Sequence, residues 1–475
     1  MNSLGENISS YLLNNFGESY LRNFAEYVES EHIPYLRINP YSYEKEKIIE
    51  RLKVYGIDLI PVANVDCAYR VSGDSGLTGK TVEHILGKYY IQSLSSMIPP
   101  IVLNPSPYER VLDLCAAPGS KSSQISEMME AKGTLVSNEP APSRIRSLVH
   151  TLDRMSIPNM GVLQYKGEML NRIYNNYFDK ILVDAPCSAL GILQKKDEVS
   201  DWWNIRQVEK IAELQFKLLV SALKMLKLGG TLVYSTCTLT IEENELLLHR
   251  FLKRYPAEIV EFNLPVKSQP GITSYKDEVL NPDILKAKRI VPWEINSEGF
   301  FIAKMIKTGD TEVNKELFIK SKNLELLPHS HKKIKKYLVN VGDKFGIEPH
   351  VLAEYQYLIK KNDIYFIDAN WDVDNISPFQ RVGIKFGNID NKGEVRLHTN
   401  AAQVLDRNIT GNIVFLNKNE LIEYFEGKVI RKNIDEPGQK AIRFYDYTLG
   451  TGVAFNEGLK SQFPRSKRTQ EIVVL

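Results

Sequence analysis

Strands and helices alternate at short, regular spacing from Arg110 onwards, and this alternation restricts the possible folds more than any other feature of the chain. Apolar runs predict the strands, and amphipathic segments predict the helices between them. Such alternation is typical of a parallel sheet with helices on both faces, so the sequence predicts an α/β core. The predicted strands are residues 111–114, 134–137, 161–165, 180–184, 231–235 and 258–262, and the predicted helices are about 121–130, 142–155, 206–227 and 241–253.

Three local signals refine this core. Gly229-Gly230 is expected to end the helix at 206–227, because glycine commonly follows a helix C-terminus. Thr240 and Glu243 have the spacing of a capping box and are expected to open the helix at 241–253. The apolar run Phe300–Ile306 predicts a further strand that closes the sheet, antiparallel to its neighbour.

Residues 1–100 mix helix and strand signals and predict a small α+β module. Apolar residues keep to one face from Ile8 to Val28, which predicts a single helix. A second helix is expected at 44–55, and a third from Tyr89 to Met97, ended by Pro99-Pro100. The strands predicted in this module are residues 35–39 and 59–65.

Beyond Lys307 the regular alternation is lost. The segment 329–337 is rich in lysine and histidine, and its simplest interpretation is a solvated helix face rather than an RNA contact. Short strand-like runs, glycine-rich turns and a helix from Lys418 to Phe425 predict a β-rich domain at the C-terminal end. The predicted domains are the module at 1–100, the α/β core at 101–308, a linker and intermediate domain at 309–410, and the β-rich domain at 411–475.

Composition narrows the functional classes. The formal net charge of +2 over 475 residues is too small to indicate nucleic-acid binding, which must come from local patches instead. The four cysteines lack the spacing of a zinc site, and they are too few in so long a chain for a disulfide framework. No secretory leader or membrane-spanning run is predicted. We therefore expect a cytoplasmic monomer with reduced thiols and no metal.

Two cysteines are predicted to face one crevice. The strand at 180–184 ends in Asp184, and Cys187 follows it closely, while the next strand is followed by Cys237. In a parallel sheet the carboxyl ends of strands meet at one edge, where ligands bind. Because free cysteine is often simply buried, one thiol alone would indicate little, but two at neighbouring strand ends favour chemistry.

The first strand-to-helix connection has the character of a cofactor loop. Small residues let the backbone approach a ligand, and the helix N-terminus beyond them offers free N–H groups to an anion. The loop is neither a Gly-x-Gly-x-x-Gly turn nor a P-loop. Glu139, after the second strand, is a candidate acceptor for ribose hydroxyls, with an ordinary helix N-terminal acid as the competing interpretation. The predicted loop residues are Cys115, Ala116, Ala117, Pro118, Gly119, Ser120 and Lys121.

Together these motifs resemble the Nop/Sun-type RNA (cytosine-5) methyltransferases. The resemblance rests on Asp113-Leu-Cys-Ala-Ala-Pro-Gly-Ser-Lys121, Asp184-Ala-Pro-Cys-Ser188, Leu228-Gly-Gly-Thr-Leu-Val-Tyr-Ser-Thr-Cys-Thr238 and Glu242-Glu-Asn-Glu245. The length, the N-terminal module and Ser120 are similar to the bacterial branch that modifies 16S rRNA. The resemblance implies a Rossmann-like core that uses S-adenosylmethionine, an N-terminal RNA-recognition module and an RNA-binding PUA-like domain at 411–475.

The resemblance also implies a role for each site residue. Cys237 would add to carbon 6 of cytosine, and Cys187 would assist loss of the carbon-5 proton and product release. Asp184 would lie against the N3 edge of the base and near the cofactor, and Lys121 would favour the cofactor carboxylate or the thiolate. An activated cysteine is needed in any case, because carbon 5 of cytosine is a poor nucleophile. The implied substrate is small-subunit rRNA in a ribosomal particle.

One residue departs from the family pattern. Lys166 stands where the family usually has an acidic residue that contacts the adenine, so either Glu168 replaces that contact or the cofactor is held without it.

Two other functions are alternatives to methylation of rRNA. They are methylation of tRNA, and the role of a catalytically weak ribosome-assembly protein that binds RNA. Aromatic and basic residues near the motifs are candidates for RNA contact, with a core or lid role equally open for the two tryptophans. They are Tyr89, Tyr90, Lys195, Lys196, Trp202 and Trp203.

Overall fold

The computed structural model describes residues 4–196, 198–312, 324–469 and 471–474. The N-terminal module is a four-stranded sheet flanked by helices. Its helices are α1 (Glu6–Phe16), α2 (Glu18–Glu29), α3 (Lys45–Val54), α4 (Val82–Ile85) and α5 (Leu94–Leu103), and its strands are β1 (Tyr35–Arg37), β2 (Ile57–Pro61), β3 (Ala68–Gly73) and β4 (Tyr90–Ile91), in the order β2-β3-β1-β4.

Two predictions for this module were wrong. The single helix expected from Ile8 to Val28 is divided into α1 and α2, because Gly17 has φ 86° and ψ 172° and breaks the helical path without disturbing the apolar face. The helix expected from Tyr89 to Met97 begins only at Leu94, and Tyr90–Ile91 form strand β4, which pairs with β1. This helix, α5, runs through Pro99 and Pro100 to Leu103, and burial against the central sheet compensates for the hydrogen bonds that the prolines cannot donate.

The central sheet contains ten strands, and the predicted α/β fold is confirmed. Its order is β11-β14-β15-β9-β8-β5-β6-β7-β19, where β19 is Phe379–Val382 from the C-terminal region, and β10 is paired to β15. Its helices are α6 (Ser120–Met128), α7 (Pro142–Arg154), α8 (Val199–Trp202), α9 (Ile205–Met225), α10 (Glu245–Leu252) and α11 (Pro292–Ile295). The strands of this region are β5 (Arg110–Asp113), β6 (Thr134–Asn138), β7 (Met160–Leu163), β8 (Phe178–Asp184), β9 (Leu226–Thr236), β10 (Ala257–Ile259), β11 (Gln269–Pro270), β12 (Ser274–Tyr275), β13 (Glu278–Val279), β14 (Lys288–Ile290) and β15 (Phe300–Lys307).

The order of the strands creates the crevice that matters for function. Strands β5 to β9 are parallel, and the chain proceeds from β5 towards β7 on one side before crossing to β8 and β9 on the other. The direction of winding therefore reverses between β5 and β8, and such a reversal opens a ligand crevice at the carboxyl ends of the strands. Strand β15 lies antiparallel to β9, as predicted.

Two helix boundaries in the core differ from prediction. Helix α9 ends at Met225, and the backbone of Gly229-Gly230 belongs to β9 instead of forming a helix cap. Helix α10 begins after Asn244, which makes no side-chain cap, so Thr240 and Glu243 do not form a capping box. The Glu243 carboxylate is occupied by contacts to another loop, which the chain brings to it only on folding.

The C-terminal region forms two five-stranded sheets. Part of the predicted linker, residues 313–323, lies outside the described residues. The helices are α12 (Lys332–Phe345), α13 (Pro349–Ala353), α14 (Thr399–Leu405) and α15 (Lys418–Glu426). The strands are β16 (Leu327–Pro328), β17 (Tyr355–Lys360), β18 (Asp363–Asp368), β19 (Phe379–Val382), β20 (Ile384–Ile389), β21 (Val395–Leu397), β22 (Ile413–Phe415), β23 (Val429–Ile430), β24 (Gly438–Phe444), β25 (Tyr447–Phe455) and β26 (Gly458–Ser461).

One C-terminal strand belongs to the central sheet. Strand β19 pairs antiparallel with β7 and so covers the edge of the parallel sheet. Gly161 in β7 leaves room for the rings of Trp371 and Phe379, since a Cβ atom there would lie 2.6 Å from Phe379 and 2.7 Å from Trp371. In the part of the chain that the structure describes, no helix has the length and apolar character needed to cross a bilayer.

Candidate active site

The predicted site residues meet at the carboxyl ends of β5, β8 and β9. Asp184 is the last residue of β8, and its Oδ1 accepts a hydrogen bond of 2.8 Å from Ser235 Oγ near the end of β9. Lys121, in the first turn of α6, reaches across the crevice to form an ion pair of 2.7 Å with Asp184 Oδ2. The switch point between β5 and β8 thus holds a carboxylate and an ammonium group side by side.

Lys121 is firmly held in its charged form. Its Nζ also donates to Ser96 Oγ at 2.9 Å and lies 5.2 Å from the centre of the Phe300 ring. Burial by itself lowers the pKa of Lys121, but the neighbouring Asp184 and Cys237 outweigh that effect and raise the pKa above its ordinary value. A buried cation next to Cys237 stabilises negative charge on that sulfur.

Cys187 and Cys237 lie in direct contact. Their Sγ atoms are 3.1 Å apart, both thiols are free, and both residues are partly exposed in the crevice. The hydrogen bond to Cys237, burial and the negative charge of Glu243 raise the pKa of Cys187 well above its ordinary range. The resting Cys187 is therefore a protonated thiol that can donate a hydrogen bond to Cys237.

The two cysteine loops approach each other through glycines that the sequence did not single out as functional. Gly191 N donates to Cys237 O at 2.9 Å, and Gly299 N donates to Gly191 O at 2.9 Å. A Cβ atom on Gly191 would lie 2.4 Å from Gly299 O and 2.8 Å from Cys237 O. Gly191 lies beyond the Asp184–Ser188 motif, and no sequence signal marked either glycine as functional.

The predicted cofactor loop forms a tight turn into α6. The chain from Cys115 to Ser120 lies at the carboxyl end of β5, and Gly119 N donates to Ala116 O at 2.8 Å. Gly119 has φ 106°, and its missing Cβ makes room for Leu148 and Thr151 of α7. No side chain caps the first turn of α6, so its backbone amides remain available to an anionic ligand.

Two carboxylates border this loop with oxygens that accept no hydrogen bond. Glu139 follows β6, and its Oε1 accepts from Ala141 N at 2.9 Å while its buried Oε2 accepts none, although Arg144 lies 3.1 Å away as an ion pair. Asp113 Oδ1 is likewise buried without a partner. Burial raises the pKa of Asp113 to about 6, against a hydrogen bond from Ser122 Oγ. Unsatisfied acceptors of this kind fit a ligand that supplies hydroxyl or amino hydrogens.

The other two cysteines have the surroundings of packing residues. Burial, together with the charges of Asp113, Asp184 and Glu139, raises the pKa of Cys115 well above its ordinary range. Burial likewise raises the pKa of Cys67 to about 11. Both side chains are thiols at neutral pH, and neither has the activated environment of a nucleophile.

The remaining candidates are divided between surface and core. Lys166 is exposed, and Glu168 is half-buried in the following 3-10 turn Gly167–Arg172. The candidates for RNA contact included Tyr89 and Trp203, whose exposed fractions are 0% and 2%. The prediction of RNA contact is therefore wrong for Tyr89, and Trp203 has the core role that was the open alternative. Tyr89 donates to Thr78 O inside the N-terminal module, and Trp203 packs on Tyr11. Trp202 and Lys196 are exposed, Tyr90 is partly exposed beneath Arg37 and Arg154, and Lys195 pairs with Glu298.

Among the residues that the structure describes, no group of three His, Cys, Asp or Glu side chains is arranged so that it could hold a metal ion.

A family model and a full-length relative both match this chain, and both are described as small-subunit rRNA methyltransferases. Residues 100–306 match the family described as 16S rRNA methyltransferase RsmB/F. Over 460 residues the chain is 32% identical to "Ribosomal RNA small subunit methyltransferase F" of Shewanella loihica, an alignment that covers 93% of this chain and 90% of that protein.

Two further proteins are similar over part of the chain. The "26S rRNA (cytosine-C(5))-methyltransferase nsun-1" of Caenorhabditis elegans is 32% identical over 318 residues, which are 65% of this chain and 48% of that protein. The solved structure of a "Methyltransferase Homolog Protein" from Pyrococcus horikoshii superimposes with a TM-score of 0.56 at 29% identity, covering 63% of this chain and 93% of that one.

Proposed function

This chain belongs to the RsmB/F family of 16S rRNA methyltransferases, and on that premise we propose that Cys237 and Cys187 methylate carbon 5 of an rRNA cytosine through a covalent adduct. The protein is an rRNA (cytosine-5) methyltransferase that uses S-adenosylmethionine. The observation that carries the proposed mechanism is the 3.1 Å contact between the two sulfurs, beside the buried Lys121–Asp184 pair.

The hydrogen-bonding and charged groups of the crevice fit S-adenosylmethionine. The uncapped N-terminus of α6 and Lys121 suit the cofactor carboxylate, and the unsatisfied Glu139 Oε2 suits a ribose hydroxyl. The backbone of the turn, with Gly119 at its end, allows close approach of a bound molecule. When bound, S-adenosylmethionine supplies an electrophilic methyl group. The residues that would hold it are Cys115, Ala116, Ala117, Pro118, Gly119, Ser120, Lys121, Glu139 and Asp184.

Cys237 begins the reaction. Its thiolate, favoured by the charge of Lys121 and a hydrogen bond from Cys187, forms a bond to carbon 6 of cytosine. The electron pair of the 5,6 double bond moves to carbon 5. Asp184 faces the N3 edge and accepts a hydrogen bond from a proton that N3 takes from solvent and returns to solvent when the ring is restored. Carbon 5 would then take the methyl group that S-adenosylmethionine, held by the turn before α6, would supply.

Cys187 completes the reaction. After it gives its own proton to solvent, its thiolate removes the proton from carbon 5, and the bond between Cys237 and carbon 6 breaks. The aromatic ring is restored and Cys237 returns to its thiolate form. One methyl group is transferred and one proton is released in each cycle, so atoms and charges balance.

The substrate cytosine has to leave its stack before its carbon atoms can reach the sulfurs. We propose that it lies in small-subunit rRNA within a ribosomal particle in the cytoplasm, in agreement with the names of the bacterial relatives. Residues 411–475, predicted to form a PUA-like domain, would contribute RNA binding outside the crevice. The enzyme is proposed to act as a monomer without a metal.

The covalent adduct is tested by denaturing electrophoresis of protein incubated with substrate RNA and S-adenosylmethionine. Cys187→Ala is expected to accumulate a protein–RNA adduct, because addition to carbon 6 proceeds while release is impaired. Cys237→Ala is expected to form none. Cys67→Ala is the matched control, since this thiol is buried in the N-terminal module, and should behave as wild type. An adduct with Cys237→Ala, or none with Cys187→Ala, would contradict the assigned roles.

The RNA class is tested separately by bisulfite sequencing of total RNA from a deletion strain. A cytosine of small-subunit rRNA should lose its methylation. Loss confined to tRNA would refute the substrate assignment without affecting the thiol chemistry.

A further inference from the structure

A buried carboxylate lies directly behind the two reactive cysteines. The side chain of Glu243 is fully buried, and its Oε1 accepts hydrogen bonds from Ser188 N at 2.8 Å and from Gln215 Nε2 at 2.9 Å. Its Oε2 accepts from Thr240 Oγ1 at 2.7 Å and from Ser188 Oγ. Burial raises the pKa of Glu243, but these four hydrogen bonds all favour the ionised form.

The partners of Glu243 belong to both cysteine loops. Ser188 is the residue after Cys187, whereas Thr240 lies three positions after Cys237. Ser188 Oγ is also 2.9 Å from Thr238 Oγ1, the residue directly after Cys237. A single carboxylate therefore joins the backbone segments that carry the two sulfurs.

The position of Glu243 is itself fixed by the sheet. Its carbonyl oxygen accepts a hydrogen bond of 2.7 Å from the hydroxyl of the fully buried Tyr234 in β9. The next residue, Asn244, accepts from Thr236 Oγ1 at 2.7 Å and donates to Thr238 O at 3.1 Å. The carboxylate is thus a rigid anchor, which is what a group needs in order to hold two loops at a constant separation.

We propose that Glu243 is a positioning residue that holds the Cys187 and Cys237 loops together and sets the contact between their sulfur atoms. This inference rests on the proposed roles of the two cysteines. Glu243 is closed off from the crevice, so it acts through Ser188, Thr238 and Thr240 and does not touch the substrate.

The charge of Glu243 adds a second effect on the same pair. The groups that face Cys187 are Cys237, Glu243 and Tyr234. After the hydrogen bond to Cys237 and burial, the negative charge of Glu243 is a further cause of the raised pKa of Cys187. The charge of Glu243 therefore helps to keep Cys187 a protonated thiol, which can donate a hydrogen bond to Cys237.

Two substitutions separate geometry from charge. Glu243→Gln keeps an oxygen for the two N–H donors and offers an amide to the Ser188 and Thr240 hydroxyls, so it removes mainly the charge. Glu243→Ala removes the anchor altogether. Glu44→Gln is the matched control, because Glu44 is a buried carboxylate in an ion pair with Lys88 in the N-terminal module, away from the crevice.

The test measures kcat and KM for RNA and, independently of methylation, the pH at which iodoacetamide begins to alkylate Cys187, read by peptide mass spectrometry. Glu243→Ala should lower kcat about 100-fold with little change in KM, the loss expected from about 1 Å of misplacement. Glu243→Gln should retain more of kcat than Glu243→Ala and shift the onset of Cys187 alkylation to lower pH. Glu44→Gln should change neither quantity.

A folded Glu243→Ala protein with wild-type kcat would overturn the positioning role. If Glu243→Ala does not fold, Glu243→Asp decides, because a carboxylate shortened by one methylene keeps the charge but draws the anchor away from Ser188 and Thr240. Wild-type kcat in Glu243→Asp would overturn the positioning role, and an unshifted alkylation onset in Glu243→Gln would overturn the charge effect. Because alkylation requires no RNA, its onset is read independently of whether the proposed methylation mechanism is correct.

Discussion

At the scale of single residues, the contact between the sulfurs depends on Gly191, which takes no part in the chemistry. Gly191→Ala would place a Cβ atom 2.4 Å from Gly299 O and 2.8 Å from Cys237 O, both of which are backbone atoms that cannot move away cheaply. We expect a loss of about 1–3 kcal/mol in stability, as for other overpacked sites, and a fall in kcat because the Cys237 loop is displaced. Thermal unfolding and single-turnover methylation measure the two effects.

Gly79→Ala serves as the control for that substitution, since Gly79 is exposed and its added Cβ would meet no atom within 4 Å. It should leave both the unfolding temperature and kcat unchanged. Equal behaviour of the two variants would mean that the close approach at Gly191 does not control the cysteine loops.

At the scale of elements, the buried Arg37 joins strand β1 of the N-terminal module to helix α6. Arg37 in β1 is 1% exposed and donates to Glu127 at 2.8 and 3.0 Å, to Ser123 Oγ at 2.8 Å and to Ser120 O at 2.9 Å. Because α6 also carries Lys121 and follows the cofactor turn, the module supports the cofactor side of the crevice. Residues 1–100 therefore contribute to catalysis through packing as well as through any contact with RNA.

Arg37→Ala is expected to destabilise the protein by about 3–5 kcal/mol, because Glu127 loses its buried partner. It should also weaken binding of S-adenosylmethionine, since α6 and the preceding turn lose their support. Calorimetric titration of the cofactor and thermal unfolding test the two expectations. Arg70→Ala, on the exposed surface of β3, is the control and should change neither; wild-type cofactor affinity in Arg37→Ala would show that the module does not support α6.

At the scale of the whole molecule, the catalytic sheet and the C-terminal region share an edge. Strand β19 pairs with β7, Asp368 Oδ1 accepts from Gly133 N at 2.9 Å, and the fully buried Trp371 packs over Gly161. The predicted boundary at residue 308 therefore separates segments that fold against each other. Covering β7 also removes an exposed strand edge, which would otherwise be a site of aggregation.

We expect the wild-type catalytic sheet and the sheet formed by β16–β18, β20 and β21 to unfold in a single calorimetric transition. Trp371→Ala should cost about 3–5 kcal/mol and divide that transition into two, because the aromatic contact between the regions is lost. Phe415→Ala is the control, as Phe415 is 56% exposed in β22. Two transitions in the wild type, or one unchanged transition in Trp371→Ala, would contradict this coupling.

How far the sequence predicted each feature depended on the range of the interactions involved. Strands β5 to β9 follow from local apolar runs, and the two cysteines follow from motifs at strand ends. The division at Gly17 was missed because a continuous apolar face does not show where the backbone turns. The continuation of α5 through Pro99 was missed because the tertiary burial that stabilises it does not show in the local sequence. Tyr89 and Trp203 were placed among candidates for RNA contact, although long-range packing buries both.

The pair Thr240 and Glu243 shows the same limit at the active site. Their spacing predicted a helix cap, which would be a purely local structure, but folding delivers Ser188 from 55 residues away to the Glu243 carboxylate. Hydrogen bonds to both cysteine loops then replace the local cap. A spacing rule cannot anticipate a donor that arrives from a distant segment.

The sequence by itself determined the alternating core, the family and the identity of the catalytic residues, because each of these features depends on short contiguous segments of the chain. Only the tertiary structure decided the 3.1 Å contact between Cys187 and Cys237, the burial of Glu243 behind them and the capture of β19 by the catalytic sheet. Those features depend on which distant segments meet, and that is set by the packing of the whole chain rather than by any one stretch of it.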